Sequence, residues 1–208
     1  AAFMRSVLAS RRIDAVVHFA GFIESGESMN VPARYLENNT VKSFKLLEVL
    51  SEAGAPPPMI FSSTAAVYGD ATPSPISETA RWLPKSPYAL SKCLVEQALA
   101  GTGAARGMRH AVLRYFNAAG ADPGGRLGED HEPETHLIPI ALQAAAGQRE
   151  RLIINGTDYP TPDGTCVRDY IHVSDLCAAH LLVLEGLLAG HDGGVFNVGT
   201  GHGWSVRQ

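Results

Sequence analysis

The sequence predicts an α/β protein: part of a doubly wound (Rossmann-like) parallel sheet, followed by a smaller α/β substrate domain. Three observations carry this expectation. Short apolar runs alternate with segments of helical spacing, in the order strand–helix–strand–helix–strand, which is what right-handed βαβ crossovers produce. The runs are apolar almost throughout rather than alternating, as in strands buried on both faces. They end in small or hydroxyl residues, "AG" after the first and "SST" closing the second, at the end of the strands where such sheets build their sites.

The elements follow in order. The opening "AAFMRSVLASRR" reads as the tail of a helix, and Ala15–Phe19 ("AVVHF") as a buried strand running into Ala20 and Gly21. From Pro32 to Ala53, Leu36, Val41, Phe44, Leu47 and Leu50 keep roughly helical spacing, and Gly54 is the stop. Pro56–Thr64 is a loop and then the second strand. "SPYALSKCLVEQALA" is a helix that Ser86 caps and Pro87 opens. "GTGAAR" (Gly101–Arg106) is read as its stop, and His110–Asn117 as the third strand. Ala118–His136 is rich in Gly, Pro, Asp and Glu and lacks periodicity, the texture of a functional loop or domain junction. A helix (Leu137–Ala146), a strand (Arg151–Ile154), a polar turn (Gly156–Gly164), a strand (Tyr170–Val173), a helix capped by Ser174 (Ser174–Leu188) and a strand (Val195–Val198) complete the reading. The division falls at 118/119: residues 1–118 form the C-terminal part of the Rossmann domain, residues 119–208 the first part of a substrate domain. The chain stops at "GTGHGWSVRQ" where a new helix is expected to begin, so an internal piece of a longer chain is expected.

Composition narrows the function. With 208 residues, 45% hydrophobic, 18% charged and a net charge of −4, the chain can bury a real core. It has no basic run, so nucleic acid is not an expected partner. No apolar run is long enough to span a bilayer, so no membrane partner is expected. Three cysteines without a C-x-x-C make a disulfide framework unexpected and point to a reducing, cytoplasmic setting. The eight histidines are scattered, and His131 and His136 lie in an acidic loop with no third ligand at regular spacing, so no metal is expected.

A doubly wound sheet invites a search for G-x-G-x-x-G after a strand. "GTGAAR" follows a helix, and "GTGHGW" has no room for an acidic residue about 20 positions on. The fingerprint is therefore expected upstream of Ala1. The chemistry-bearing pair is Tyr88 and Lys92, four residues apart and so on one helix face. A phenol titrates near 10, and lowering it to about 7 needs roughly 4 kcal/mol. One cation supplies part of that, and the helix terminus adds to it. Alone, the pair equally describes an amphipathic helix with a Lys92–Glu96 ion pair. Ser62, Ser63 and Thr64 at the end of the neighbouring strand, and the small residues of "HFAG", favour chemistry, because a hydroxyl there can relay a proton to a phenolate.

The blocks "HFAG", "FSSTAAVYGD", "SPYALSK", "LRYFNAAGADP", "HLIPIALQAA", "DYPTPDGTCVRDYIHVSDL" and "FNVGTG" resemble, in order and over essentially the whole chain, the extended short-chain dehydrogenase/reductase family, and within it the epimerases of UDP-sugars. The resemblance implies NAD as cofactor and a UDP-sugar as substrate. It implies transient oxidation at sugar C4 that interconverts UDP-glucose and UDP-galactose, by a protein that is a homodimer at full length. It makes Tyr88 the base, Thr64 its hydroxyl partner and Lys92 the residue that tunes Tyr88 and holds the nicotinamide ribose. Phe19, Ala20, Gly21, Asn38, Ser62 and Phe116 would line NAD. Asn117, His136, Leu137, Arg168 and the backbone from Ile153 to Asn155 would hold the UDP-sugar. Three departures stand out: Thr64 where some members carry Ser, Ile23 where some have a cofactor-contacting Lys, and His136 in place of Asn. Elimination chemistry of the 4,6-dehydratase kind is set aside, since Ala65 and Ala66 stand where that family puts an acid pair. Epimerisation of another UDP-sugar, a pentose or N-acetylhexosamine, and a non-catalytic dinucleotide-binding role remain as alternatives.

Overall fold

The computed structural model describes residues 2–70 and 74–208. In chain order the elements are α1 (Ala2–Ser10), β1 (Val16–His18), α2 (Ser25–Asn30), α3 (Pro32–Tyr35), a π-helical segment (Leu36–Val41), α4 (Lys42–Ser51), β2 (Met59–Thr64), a 3₁₀ turn (Ala65–Tyr68), α5 (Pro87–Arg106), β3 (His110–Tyr115), β4 (Asn117–Ala119), α6 (Leu137–Ala145), β5 (Val167–Arg168), β6 (Tyr170–His172), α7 (Val173–Leu188), β7 (Gly193–Val198) and β8 (Trp204–Ser205). No helix among the described residues is long and apolar enough to cross a membrane.

The chain divides into two compact units. The first comprises residues 1–115 and 179–198, the second residues 116–178 and 199–208. The first holds a four-stranded parallel sheet in the order β1-β2-β3-β7. The division expected at 118/119 put residues 179–198 with the later unit. The pairing of β7 on β3 puts them with the earlier one, because a parallel strand can return to the sheet only through a crossover.

β2 is central and buried along its length, and its side chains alternate between two cores. Met59 and Phe61 join Leu47, Leu50, Val95 and Leu99 on the α4–α5 side. Ile60 joins Ala111, Leu113 and Leu187 on the other. Continued into "SST", the same alternation sends Ser62 toward His180 and Ser63 toward α5.

The second unit is a set of short pairings: β4 parallel to β6, and β5 antiparallel to β8. Several sequence expectations change here. Residues 151–154 are not a strand: among the described residues Leu152, Ile153 and Ile154 pair with no strand. The terminal segment forms β8 rather than a helix start. Ser174 lies inside α7, not at its cap, and its N–H donates to His172 Nδ1 at 3.1 Å. "GTGAAR" is not a stop either. α5 runs through it to Arg106 and ends at Gly107, whose φ of 65° and N–H bond to Gly103 O form a left-handed cap. Gly103 is needed inside the helix because a Cβ there would stand 2.7 Å from the His110 ring.

Candidate active site

The start of α5 is over-determined. Ser86 Oγ accepts the Ala89 N–H at 3.1 Å, and Pro87 takes the first helical position. The Tyr88 N–H, one of the free donors of the first turn, donates to Ser28 Oγ at 3.2 Å, and that hydroxyl donates to Ser25 O at 2.6 Å. The tyrosine backbone is thus held from α2 as well as from its own cap. The Thr64 hydroxyl is close enough to the phenol to favour its charged form. Thr64 Oγ1 accepts the Ala66 N–H at 3.1 Å, which leaves its proton facing no other acceptor among the described bonds. Burial holds the Tyr88 phenol up at about 12, the Thr64 hydroxyl pulls it down, and Tyr115 and Glu24 push it further up.

Lys92 is buried. Its ammonium donates to the Ser62 carbonyl at 2.9 Å and lies 5.0 Å from the Phe61 ring centre and 5.9 Å from that of Tyr88. Burial lowers it to about 8, and Glu96 opposes the fall. Sequence spacing suggested that the lysine directly lowers the phenol. In the structure one of its protons goes to the Ser62 carbonyl, and burial is the largest influence on the phenol.

The other residues expected at a cofactor surround this pair unevenly. Ser62 is buried, and its hydroxyl lies 3.3 Å from His180 Nε2 and draws the Tyr115 phenol down against burial. Phe19 is exposed, with its ring centre 5.0 Å from that of His180. Ala20 is exposed at the mouth of a cavity that His18, Asn38 and Lys42 also line. Gly21 is a close approach: a Cβ there would stand 3.2 Å from Asn39 Oδ1 and 3.7 Å from Lys92 Nζ. Asn38 is half-buried, donating to Asn39 Oδ1 at 3.2 Å and accepting from Lys42 Nζ at 2.8 Å. Ile23 is exposed. Phe116 belongs to the second unit, where its ring packs at Gly199.

Asn39 was missed. It is buried, accepts the Phe22 N–H at 2.8 Å, and donates to Phe22 O at 2.9 Å and to Ser91 Oγ at 3.2 Å. It pins the loop after β1 to the helix that carries Tyr88. The π-helical segment puts it there, since one extra residue in the turn rotates both asparagines out of α-helical register. The five-residue step from Leu36 to Val41 was the available signal. His180, Ser28 and Glu96 were missed too, because their partners are distant in sequence.

In the second unit, Asn117 N–H and Nδ2 both donate to Asp169 O, at 3.0 and 2.9 Å. The Asp169 carboxylate accepts from Thr200 N–H, Thr200 Oγ1 and Gly201 N–H at 2.8 to 2.9 Å. Those bonds occupy the backbone donors of the "GTG" run. Arg168 on β5 is exposed and donates only to the adjacent Val167 carbonyl among its described bonds. Ile153 and Asn155 are exposed, and Leu137 is half-buried at the start of α6. His136 Nδ1 lies 2.6 Å from Glu129 and 3.0 Å from Glu134, and His131 Nδ1 lies 3.0 Å from Glu129. These four side chains supply the donors that sequence spacing did not show. Their contacts are hydrogen-bond spacings, shorter than the roughly 3.3 Å separating donors around a tetrahedral zinc with bonds of about 2.0 Å.

Residues 1–199 match the family described as "NAD dependent epimerase/dehydratase family". The chain is similar to a UDP-glucose 4-epimerase of Lacticaseibacillus casei, 48% identical over 98% of this chain and 61% of the relative. Among solved structures it is similar to UDP-glucose 4-epimerase from Brucella ovis in complex with NAD, with TM-score 0.94 and 45% identity over 99% of this chain and 63% of that one. It is also similar to UDP-glucose 4-epimerase from Bifidobacterium longum in complex with NAD+ and UDP, with TM-score 0.92 and 40% identity over 99% and 62% of the two chains. The chain spans about three fifths of the length of these relatives.

Proposed function

The chain belongs to the NAD dependent epimerase/dehydratase family, and on that premise we propose that, at its relatives' length, it interconverts UDP-glucose and UDP-galactose with bound NAD. The observation that carries this is the Thr64–Tyr88–Lys92 arrangement: a hydroxyl beside the phenol, and a buried ammonium fixed on the same strand end. The residues fit the nicotinamide end of the cofactor. A Cβ at Gly21 would crowd Asn39 Oδ1 at 3.2 Å and touch Lys92 Nζ at 3.7 Å, and Ser62, Tyr88 and Lys92 offer hydroxyls and a cation beside it. When bound, NAD supplies a reversible hydride acceptor.

The chain's own residues then have distinct tasks. Tyr88 takes the proton of the sugar's C4 hydroxyl, and the Thr64 hydroxyl bridges sugar oxygen and phenol, so the proton moves along a short hydrogen-bonded path. Lys92 supplies the positive charge that makes a phenolate tolerable in a buried site. The proton returns from Tyr88 to the oxygen once the C4 configuration is set. Arg168 is suited to the substrate diphosphate, since its planar guanidinium pairs with two oxygens at once. Asn117 holds the backbone beside Arg168, and Leu137 and the 153–155 backbone are assigned to the nucleotide. His136 is assigned to the same site through ring Nε2, since Nδ1 is engaged by Glu129 and Glu134 and its backbone N–H by Glu134. The free cysteines, one buried and two at least partly accessible, suit the cytoplasm.

Incubating the chain, extended to its relatives' length and loaded with NAD, with UDP-galactose tests this. Formation of UDP-glucose is expected. Conversion of only a UDP-pentose or a UDP-N-acetylhexosamine would move the assignment to those sugars, and no conversion of any would overturn it.

A further inference from the structure

We propose that Glu96 is a positioning residue for the Tyr88–Lys92 pair, acting through Ser63 on the strand end that carries Thr64 and the Ser62 carbonyl. This rests on the reading that Tyr88 and Lys92 do the chemistry. Glu96 stands one helical turn beyond Lys92 on α5, and both are buried. Its Oε1 accepts the Ser63 hydroxyl in a short bond. Ser63 lies between Ser62, whose carbonyl takes the Lys92 proton, and Thr64, whose hydroxyl meets Tyr88. One helix therefore supplies both the reacting pair and the anchor that fixes the strand against it.

The anchor extends to the far side of Thr64. Arg114 of β3 clamps the Glu96 carboxylate, with Nε 3.1 Å from each oxygen and Nη2 2.5 Å from Oε2. Arg114 Nη1 donates to the Tyr68 hydroxyl at 2.7 Å and to Glu78 O at 3.1 Å, and its guanidinium lies 5.1 Å from the ring centres of Tyr68 and Trp82. Tyr68 closes the 3₁₀ turn that starts right after Thr64, and its hydroxyl donates to Asn197 Oδ1 at 2.7 Å. Residue 63 before Thr64 and residue 68 after it are thus tied to one ion pair. A buried ion pair is weak evidence for stability, since apolar replacements are often as stable. Its place astride Thr64 gives it another use.

Charge is the second link. Glu96 faces Lys92 with a negative charge and opposes the loss of its proton on burial. The other titratable groups coupled to the pair are His18 from β1, which the Lys92 charge holds down, and Tyr115 from β3 and Glu24 from the segment before α2, which hold Tyr88 up.

The test uses the NAD-loaded chain at its relatives' length, with wild type and Tyr88→Phe as references. If wild type does not turn over, or Tyr88→Phe turns over as well as wild type, it is the functional reading that falls. With those references in place, Ser63→Ala is expected to lower kcat by about fivefold or more with little change in KM, because misplacing reacting groups costs rate. Glu96→Gln is expected to move the alkaline limb of the kcat–pH profile down by roughly half a pH unit or more. If that variant does not fold, Glu96→Gln/Arg114→Gln, which leaves no lone buried charge, replaces it. Wild-type kcat in Ser63→Ala, or an unmoved limb in a folded Glu96 variant, overturns the proposal. If neither Glu96 variant folds, Ser63→Ala decides alone.

Discussion

Raising the pH through 8 is expected to strengthen the fold by way of Lys92. Its ammonium sits in the sheet–helix interface, where burial lowers it from 10.5 to about 8, with Glu96 pulling the other way. Below pH 8 both folded and unfolded chains carry the proton, and the folded chain bears the cost of burying it. Between about 8 and 10.5 the folded chain has lost the proton and the unfolded chain keeps it. The unfolded state then binds more protons, so stability rises with pH. The gap of about 2.5 pH units is worth about 3 kcal/mol. Lys92→Met keeps most of the apolar stem and removes the titration. Urea denaturation of both proteins from pH 7 to 10.5 reads the difference. The margin by which Lys92→Met exceeds wild type at pH 7 should fall by about 3 kcal/mol by the top of that range. Tyr88, Tyr115 and Cys93, all raised chiefly by burial, lose stability with rising pH in both proteins and drop out of the comparison. A margin constant across the range would refute the reasoning.

Two further outcomes follow from buried groups. His18 is lowered from 6.5 to about 4 by burial and then by Lys92. The unfolded chain binds more protons between those values, so stability should fall as pH drops from 6.5 to 4, by at most about 3 kcal/mol given residual solvent exposure. His18→Asn should flatten that slope in denaturation curves, and an unchanged slope would count against it. Asn39→Ala strands the Phe22 N–H and carbonyl and should cost about 1–3 kcal/mol, read as a lower denaturation midpoint. A wild-type midpoint would contradict the role given to Asn39.

The parallel sheet was legible because its central strands, β2 and β3, are buried on both faces and its helices keep their spacing. The start of α5 was legible because Ser86 and Pro87 act within one turn. What escaped depends on distance or on local irregularity. α2 is six residues, "SGESMN", with one large apolar side chain and so no apolar period to mark it. Glu96 reads in sequence as a surface partner of Lys92, but tertiary packing buries it against Arg114, 18 residues on. His180 meets Ser62 across 118 residues. The failed strand at 151–154 has the right composition and no neighbour to pair with, since strand propensity is realised only through pairing. Within the candidate site, the shared helix face of Tyr88 and Lys92 and the place of Thr64 at the strand end were readable. The direction of the lysine's proton, toward Ser62 O, was not.

Interconversion of UDP-galactose and UDP-glucose by Tyr88→Phe, beside wild type, in the NAD-loaded chain at its relatives' length, tests the central claim most directly. The substitution removes one hydroxyl and leaves the ring, the Ser86 cap and the Ser28 bond in place. A loss of kcat of at least about a hundredfold, with the fold unchanged, is expected for a phenol that moves the proton. Wild-type turnover by Tyr88→Phe would contradict it.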